Sequence, residues 1–419
     1  MDNDKQKELT AFTRAATQCG SRYLAAGGPT SRIEEKLTQA GHRLGFKTEV
    51  FATPASVFVS ASIHGHDEVI TAFEVIKSQG INLAELQRLD LLLQRMSDGE
   101  MRPRTALPLL SEEHSAHPYP PYVRFVAVVL VCLMASLFRY NNIIGALCSG
   151  LFGGLTYWTA QSLGTRLRLP QIFGDFIGSL FILAFAGVCS ILAGIPPYMT
   201  SIGYFILIVP GLNLTTAMSE LAESHFVSGT IKLMRSMLVL LAMGVALLLS
   251  FEFAELYQLH AHNLVYVKNF DLGDSFFLRA SCLSVVIASS AVVFAVPKSD
   301  VFWTAITGLI GWVILQQFDA DRFVVIPSFL ASFSIALISL GLGRAFKTPS
   351  QIYSVPAILG LVPGLLAFST FEAYTQGSET QFQIFFKVPV IAGAIVFGFL
   401  TARIPAVIAS NDENSTVNI

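Results

Sequence analysis

The sequence predicts a polytopic α-helical membrane protein, with ten transmembrane helices in two inverted five-helix repeats after an N-terminal cytosolic α+β domain. The chain is 53% hydrophobic and 13% charged, and a soluble protein of its length would carry about twice that charge. The charged residues concentrate in residues 1–114, and long apolar runs follow. Two of these runs contain matching pairs, Pro210-Gly211 and Pro363-Gly364.

Composition also limits partners and cofactors. A net charge of −2 gives no basic field for nucleic acid. The five cysteines lack CxxC or metal-like spacing, so we expect reduced, buried thiols. His64-Gly65-His66 is interpreted as a turn at a strand end, because no third ligand is in view. We therefore predict no metal and no cofactor. The expected partners are a small-molecule solute, protons and the lipid bilayer, with a homo-oligomer left open.

The N-terminal domain, residues 1–114, is predicted to begin with two helices. Apolar residues recur every three or four positions over residues 9–23, and Gly27-Gly28-Pro29 ends this helix. Ser31 and Glu34 have the spacing of a capping box at the start of the second helix. Arg32 has no structural explanation in the sequence. Arg32 and Glu34 are therefore candidates for gating the cytosolic mouth.

The rest of this domain is predicted to contain a sheet and a further helix. Alternating segments rich in Val, Ile, Phe and Thr predict strands over residues 47–53, 56–63 and 69–76. Asn82 is suited to cap a helix that runs to about Asp98. Residues 115–121 are Pro-containing and are predicted to link this domain to the membrane part.

Ten apolar segments after residue 121 have the length of a membrane-spanning helix, about 17–25 residues. The sequence divides into a first repeat over 122–251, an extracytoplasmic loop over 252–275, a second repeat over 276–406 and a C-terminal tail over 407–419. The predicted spans are 122–138, 142–163, 173–194, 199–219, 230–251, 276–297, 302–318, 323–344, 353–372 and 384–406.

The distribution of Lys and Arg in the loops predicts the orientation. Placing the N-terminal domain in the cytosol gives a modest excess of basic residues in the cytosolic loops. The inside loops contain Arg166, Arg168, Lys232, Lys298, Arg344, Lys347 and Arg403. The outside loops contain Arg139, Lys268, Arg322 and Lys387. We therefore expect a multi-pass protein of the cell inner membrane with both termini in the cytosol.

The Pro-Gly pairs fall in the fourth and ninth spans, which are the fourth of each set of five. Proline cannot donate a backbone hydrogen bond, and a membrane helix tolerates this only where protein or a water-filled cavity satisfies the freed groups. Residues 150–153 in the second span resemble residues 308–311 in the seventh. Because five is odd, the second repeat is inverted. The pattern is typical of a transporter with broken helices at its centre.

The combination of these motifs resembles the threonine/serine exporter family. The motifs are residues 28–34 (Gly-Pro-Thr-Ser-Arg-Ile-Glu), a Pro-rich link, Pro210-Gly211, Ser228-Gly229 and Pro363-Gly364. The resemblance covers nearly the whole chain, and it implies efflux of small hydrophilic solutes driven by the proton motive force. In some relatives the two halves are separate polypeptides, including a two-component system linked to succinate export. Relatives tend to have Asp about ten residues after the Pro-Gly pair, where this chain has Glu220.

The candidate substrate site lies at the two breaks. A helix that restarts near Asn213 would turn its N-terminal N–H groups and positive dipole end toward a substrate carboxylate. Thr215 and Thr216 are candidates to bind amino and hydroxyl groups, although threonines also bond back to their own helix. The predicted substrate-binding residues are Pro210, Gly211, Asn213, Thr215, Thr216, Pro363, Gly364, Ser369 and Thr370.

Besides Glu34, three carboxylates in the membrane part are candidates for coupling or gating. Asp175 lies about one turn into the third span, where a charge is costly and usually faces a cavity. Glu220 follows Pro210 by ten residues, and Glu372 follows Pro363 by nine, about 15 Å along each helix. Inversion would place Glu220 at the cytosolic face and Glu372 at the outer face, where each would be a polar residue at one of the two entrances to the site. The alternative is that both are solvated residues at helix ends.

Other functions remain open at this point. Dicarboxylate efflux would need basic side chains facing the cavity, and Arg235 and Arg279 are the candidates within spans. Gly174-Asp175 and Gly273-Asp274 resemble part of the sequence motif of membrane aspartyl proteases. The first lacks the preceding glycine, and the second lies in a loop. We therefore do not predict an enzyme. A non-transporting scaffold is the third alternative, although a scaffold has no use for paired helix breaks.

Overall fold

The computed structural model describes residues 2–63, 65, 68–76, 80–111, 117–256, 275–319, 323–361, 387 and 389–404. These residues are mostly helical, with one three-stranded sheet among them. Several predicted residues lie outside the described ones: His64, His66, Pro363, Gly364, Ser369, Thr370 and Glu372.

The head, residues 2–111, contains a small antiparallel sheet of order β1-β2-β3. Helices α1 and α2 pack on the face of the sheet that buries Val57 and Val59. The predicted strands agree with β1–β3 to within one residue, and the Asn82 side chain caps α3 by accepting from Glu85 N–H (3.1 Å). The elements are α1 (Asp2–Ala25), α2 (Thr30–Arg43), β1 (Phe46–Thr53), β2 (Ser56–Ile63), β3 (Val69–Val75), α3 (Leu83–Ser97) and α4 (Pro103–Ser111).

The capping box predicted for the second helix is wrong. Helix α2 begins at Thr30, two residues earlier than a Ser31 cap predicts, and its N-cap is Pro29, whose extended backbone (φ −74°, ψ 143°) starts the helix without a side-chain hydrogen bond. Ser31 Oγ instead donates to Glu223 (3.1 Å), and Glu34 Oε1 accepts from Ala52 N–H (2.7 Å). The pattern fails because both polar side chains have partners that are distant in sequence.

The described residues of the membrane part are almost all helical. Six of them, α5, α6, α7, α10, α11 and α13, are long and apolar enough to cross a membrane, and α8 with α9 is a seventh candidate bent by 41°. The helices are α5 (Pro121–Tyr140), α6 (Ile143–Leu167), α7 (Gln171–Ala193), α8 (Pro197–Ile208), α9 (Gly211–Ala222), α10 (Phe226–Leu256), α11 (Phe276–Val293), α12 (Val301–Gln316), α13 (Val325–Phe346), α14 (Gln351–Ala357), the 3-10 helix η1 (Ile358–Gly360) and α15 (Pro389–Ile404).

The described residues thus support six or seven of the ten predicted spans. Helices α12 and α15 are apolar but shorter. The 16 residues of α12 extend about 24 Å, less than the roughly 30 Å of a bilayer core. The predicted span 353–372 begins in α14 and runs into residues outside the described ones.

Corresponding helices of the two halves make corresponding contacts. Helix α5 contacts α6 and α8, and α11 contacts α12 and α14 in the same pattern. A Cβ on Gly150 of α6 would lie 2.9 Å from Leu133 of α5, and one on Gly308 of α12 would lie 2.5 Å from Ile287 of α11. The echoed glycines therefore allow close packing in both halves. The halves meet where α5 packs on α11 and where α9 contacts η1.

The head contacts the ends of membrane helices from both halves. The N–H groups of Leu83 and Ala84 donate to the carbonyls of Phe294 and Ala295, just after α11 (3.0 and 2.9 Å). The apolar core of the head continues into Tyr353 of α14. The ends of α9 and α11 and the starts of α10 and α14 therefore lie on one side of the molecule, which we call the head side.

Candidate functional site

The helix break predicted at Pro210 is present. Helix α8 ends at Ile208, after which Val209 is extended (ψ 124°) and Pro210 leaves helical geometry (ψ 42°). The residue before a proline is driven toward extended conformations, and proline has no N–H to continue the ladder. Helix α9 begins at Gly211, two residues earlier than expected, and Leu214 N–H donates to the Pro210 carbonyl (2.8 Å). The first N–H groups of α9 therefore belong to a new helix terminus.

The polar residues after the break do not share one environment. Asn213 is exposed, whereas Thr215, two positions later, is buried on a different face of α9. Thr216 Oγ1 donates to the Asn213 carbonyl (3.1 Å), which is the back-bonding alternative. Asn213, Thr216 and Glu220 lie at i, i+3 and i+7, so they line one face from the break to the end of α9.

Glu220 is the most deeply buried charge at this end of α9. It is 2% exposed, so the alternative that Glu220 is a solvated residue at a helix end is wrong. Its Oε1 accepts from the backbone N–H (3.2 Å) and Oγ1 (2.9 Å) of Thr30 and from Lys232 Nζ (2.5 Å). Its Oε2 is buried and has no hydrogen-bond partner among the described residues. The head covers Glu220 because the first turn of α2 lies directly against it.

Glu223, one turn further on, connects three parts of the chain. Its Oε2 accepts from Ser31 Oγ of the head (3.1 Å). Its Oε1 accepts from Arg403 of α15 (2.8 Å) and from Ser219 of α9 (3.3 Å). The end of the last described helix therefore lies beside the end of the broken span, on the head side.

Arg32 and Glu34 continue this contact surface. Arg32 donates to Gln351 Oε1 at the start of α14 (2.9 Å). Glu34 Oε2 lies 3.6 Å from Nδ1 of His225, between α9 and α10. Burial raises the pKa of the Glu34 carboxyl above its usual value, although the hydrogen bond from Ala52 and the neighbouring His225 oppose the shift. Residues 30–34, which carried the family resemblance, thus contact membrane helices of both halves.

Asp175 belongs to a second polar group on the head-side half of α7. The side chain is partly buried, and its charge interacts with that of Arg235 on α10. Arg235 also donates to Gln171, the first residue of α7. Lys232 and Arg235 are one turn apart on α10, so this helix offers one cation to Glu220 and the next to Asp175.

Several residues of this junction carried no signal of their own in the sequence. Lys232 and Arg403 were counted only as inside-loop charges, and Glu223, His225 and Gln351 were not predicted. Each acquires its role from a partner that folding brings from elsewhere in the chain, as when Ser31 meets Glu223 across 192 positions. A search for opposite charges near the Pro-Gly pair would have found Lys232, twelve positions after Glu220.

Comparisons with known proteins cover both halves of the chain. Residues 14–254 match the ThrE family model, and residues 280–404 match the ThrE_2 model, described as "Threonine/Serine exporter, ThrE". A protein of Klebsiella aerogenes, "Probable succinate transporter subunit YjjP", is 24% identical over 241 residues, which are 55% of this chain and 88% of that protein. No solved structure matches.

Proposed function

This chain belongs to the threonine/serine exporter family, a family of membrane transporters and not of enzymes, and on that premise we propose that it is a secondary active exporter of small amino acids, threonine and serine. The broken helix at Pro210 carries the proposal. Its restart, α9, contacts η1, which ends three residues before Pro363. Secondary transporters place their sites near the bilayer midplane, between such discontinuous helices.

We infer that the chain crosses the membrane ten times as two inverted repeats. Helix α9 ends on the head side, whereas α14 begins there, so the two Pro-Gly helices run in opposite directions, as inversion requires. The matching contacts within the halves and the α5–α11 contact support a pseudo-two-fold relation. Arg403 places the end of α15 on the head side, which supports termini on one face of the membrane, proposed to be the cytosolic face.

The substrate site is proposed to lie between the start of α9 and the second break. The N-terminus of α9 at Pro210 and Gly211 would hold the substrate carboxylate. Asn213, which is exposed, and Thr216, on the same face, would contact the amino and hydroxyl groups, and Thr215 would support them from the buried side. Pro363, Gly364, Ser369 and Thr370 would supply the other wall.

Coupling is proposed to use protons and the two carboxylate–cation groups joined through α10. Asp175 with Arg235 and Glu220 with Lys232 lie on the head-side half of the first repeat. Protonation or movement of either carboxylate would release a cation one turn from the other. The head would gate this mouth through Arg32 and Glu34, and Glu372 would mark the opposite entrance.

Dicarboxylate export is the second candidate, favoured by the similarity to the Klebsiella protein. A dianion needs a second cationic group beside the helix terminus. Arg235 is engaged with Gln171 and with the charge of Asp175, which counts against that role. The amino-acid proposal requires only one carboxylate site and therefore fits the described residues better.

Vesicle transport separates these candidates. Vesicles loaded with labelled threonine, serine, alanine and succinate would be followed with and without a proton gradient. We expect gradient-dependent efflux of threonine and serine. Efflux of succinate alone would establish the second candidate, and retention of all solutes would overturn both. In the same assay Asp175→Asn should reduce export and flatten its pH dependence, and a normal rate and profile would make Asp175 an interfacial anchor only.

A further inference from the structure

The open face of the head sheet carries a row of three phenylalanines. Phe51, Phe58 and Phe73 are direct cross-strand partners, with ring centroids 6.3 and 4.7 Å apart along the row. Their exposed fractions are 53%, 39% and 55%. Helices α1 and α2 pack on the other face of the sheet, where Val57 and Val59 are buried. Contiguous exposed aromatic side chains mark a surface that contacts another apolar phase.

The same face becomes polar with distance from the β1–β2 turn. The next row contains Glu49, Ser60 and Thr71, and the two hydroxyls are hydrogen-bonded (3.0 Å). Lys47, one row further, forms a solvated ion pair with Glu49 (3.9 Å). Val69 is an apolar exception in that last row. The row nearest the turn contains Thr53, Ser56 and the exposed Val75, so the phenylalanine row is the second from the turn and the rows beyond it are mainly polar.

The aromatic end lies beside the start of a membrane-spanning helix. Ser228 Oγ, in the first turn of α10, donates to the carbonyl of Ala52 (3.4 Å), which adjoins Phe51. The candidate span Phe226–Ser250 has 25 residues, or about 37 Å of helix, which exceeds the roughly 30 Å hydrocarbon core. A helix of this length that crosses the membrane extends past the core, which would place the first residues of α10, and with them the end of β1, at headgroup depth.

We propose that the phenylalanine row is a lipid-contact surface that rests in the headgroup region of the leaflet on the head side. Amphipathic surfaces at this depth bury their apolar part at the boundary of the acyl chains and keep their polar part in water. The change from aromatic to polar runs away from the start of α10, as a membrane surface requires. The inference requires that α10 crosses the membrane and is independent of the solute.

Photo-crosslinking of the full chain in lipid nanodiscs tests whether the phenylalanine row contacts lipid. The photoreactive residue p-benzoyl-phenylalanine would replace Phe58 in one protein and Lys47 in a matched control, which lies on the same face about 14 Å further from the turn. Both positions are exposed, so each protein should fold, which size-exclusion chromatography would verify. Mass spectrometry of the labelled peptide would quantify lipid adducts, and denaturing gels would detect crosslinked dimers.

We expect at least fivefold more lipid adduct at position 58 than at position 47. A crosslinked dimer at position 58 would assign the surface to a second copy and overturn the proposal. Equal or absent lipid adducts at the two positions would show that the face is in water, with the same consequence. As an independent measurement, replacing Phe51, Phe58 and Phe73 together by serine should lower the thermal unfolding temperature more in nanodiscs than in detergent, because the cross-strand ring contacts are lost in both but the lipid contact only in nanodiscs. An equal shift in both would also contradict lipid contact.

Discussion

At the scale of single residues, the buried pair of Glu220 and Lys232 has the clearest energetic consequence. Lys232→Met removes the cation and leaves Glu220 buried, with Thr30 as its remaining hydrogen-bond donor among the described residues. Breaking a buried pair in this way costs about 3–5 kcal/mol, because the remaining charge is neither solvated nor paired. We expect a lower thermal unfolding temperature and faster proteolytic release of the head.

The double variant Lys232→Met with Glu220→Gln supplies the decisive comparison, because the amide still accepts from Thr30 without a stranded charge. It should recover most of the lost stability. Arg43→Met, which breaks an exposed pair with Asp98, should cost at most about 1 kcal/mol. If Lys232→Met is as mild as Arg43→Met, the buried pair does not hold the head in place.

The raised pKa of Glu34 predicts that the stability of the protein depends on pH. Its pKa is raised by burial, so its protonated form is favoured in the folded state. Such a carboxyl contributes stability that is complete below its unfolded pKa of about 4.3 and is lost as pH rises through the higher folded value. Thermal unfolding temperatures at pH 5 and pH 7 should therefore differ less for Glu34→Gln than for the wild type. Glu35→Gln, at an exposed neighbouring position, should behave as the wild type does; identical profiles for all three proteins would contradict the assignment.

At the scale of elements, the contact between α5 and α8 depends on Gly203. A Cβ on this residue would lie 2.4 Å from Cα and 2.5 Å from the carbonyl oxygen of Cys132, and backbone atoms cannot move aside. We expect Gly203→Ala to destabilise the first repeat by about 1–3 kcal/mol or more, which is the usual cost of overpacking. The thermal unfolding temperature and the yield of purified protein measure this loss of stability.

Gly187→Ala, in α7, is the matched control. No atom lies within 4 Å of the Cβ it would add, so alanine should be neutral or stabilise the helix by up to about 1 kcal/mol. Equal stability of the two variants would mean that α5 and α8 are not in close contact at Gly203.

The elements also show how far sequence reasoning reaches. Strands β1–β3 were predicted within a residue because alternation is a local property, and the break at Pro210 because proline itself causes it. The capping box failed at Ser31 and Glu34, whose side chains bond to Glu223 and Ala52. Burial of Glu220 depends on Thr30, 190 positions away, which no local pattern records. The helix break is therefore predictable because it depends on backbone chemistry, whereas the cover that the head forms over Glu220 is not.

At the scale of the whole molecule, the head closes one side of the membrane part through contacts with both halves. Deleting residues 1–114 should therefore impair transport, because Glu220, Glu223 and Gln351 lose their partners in the head. The spans should still insert, since their packing contacts lie within the membrane part. Vesicle efflux and membrane fractionation measure the two effects, and full activity of the headless protein would remove the gating role.

The central claim is that two helix breaks form one shared midplane site, and substitution of their glycines tests it most directly. Gly211→Leu and Gly364→Leu, each measured for solute efflux in vesicles, should both abolish transport while the proteins still fold and reach the membrane. Gly244→Leu is the control, because no atom of the described residues beyond the helix's own backbone lies within 4 Å of the Cβ it would add in α10, and it should transport normally. If either Gly211→Leu or Gly364→Leu transports as Gly244→Leu does, the Pro-Gly pairs are kinks and not a site.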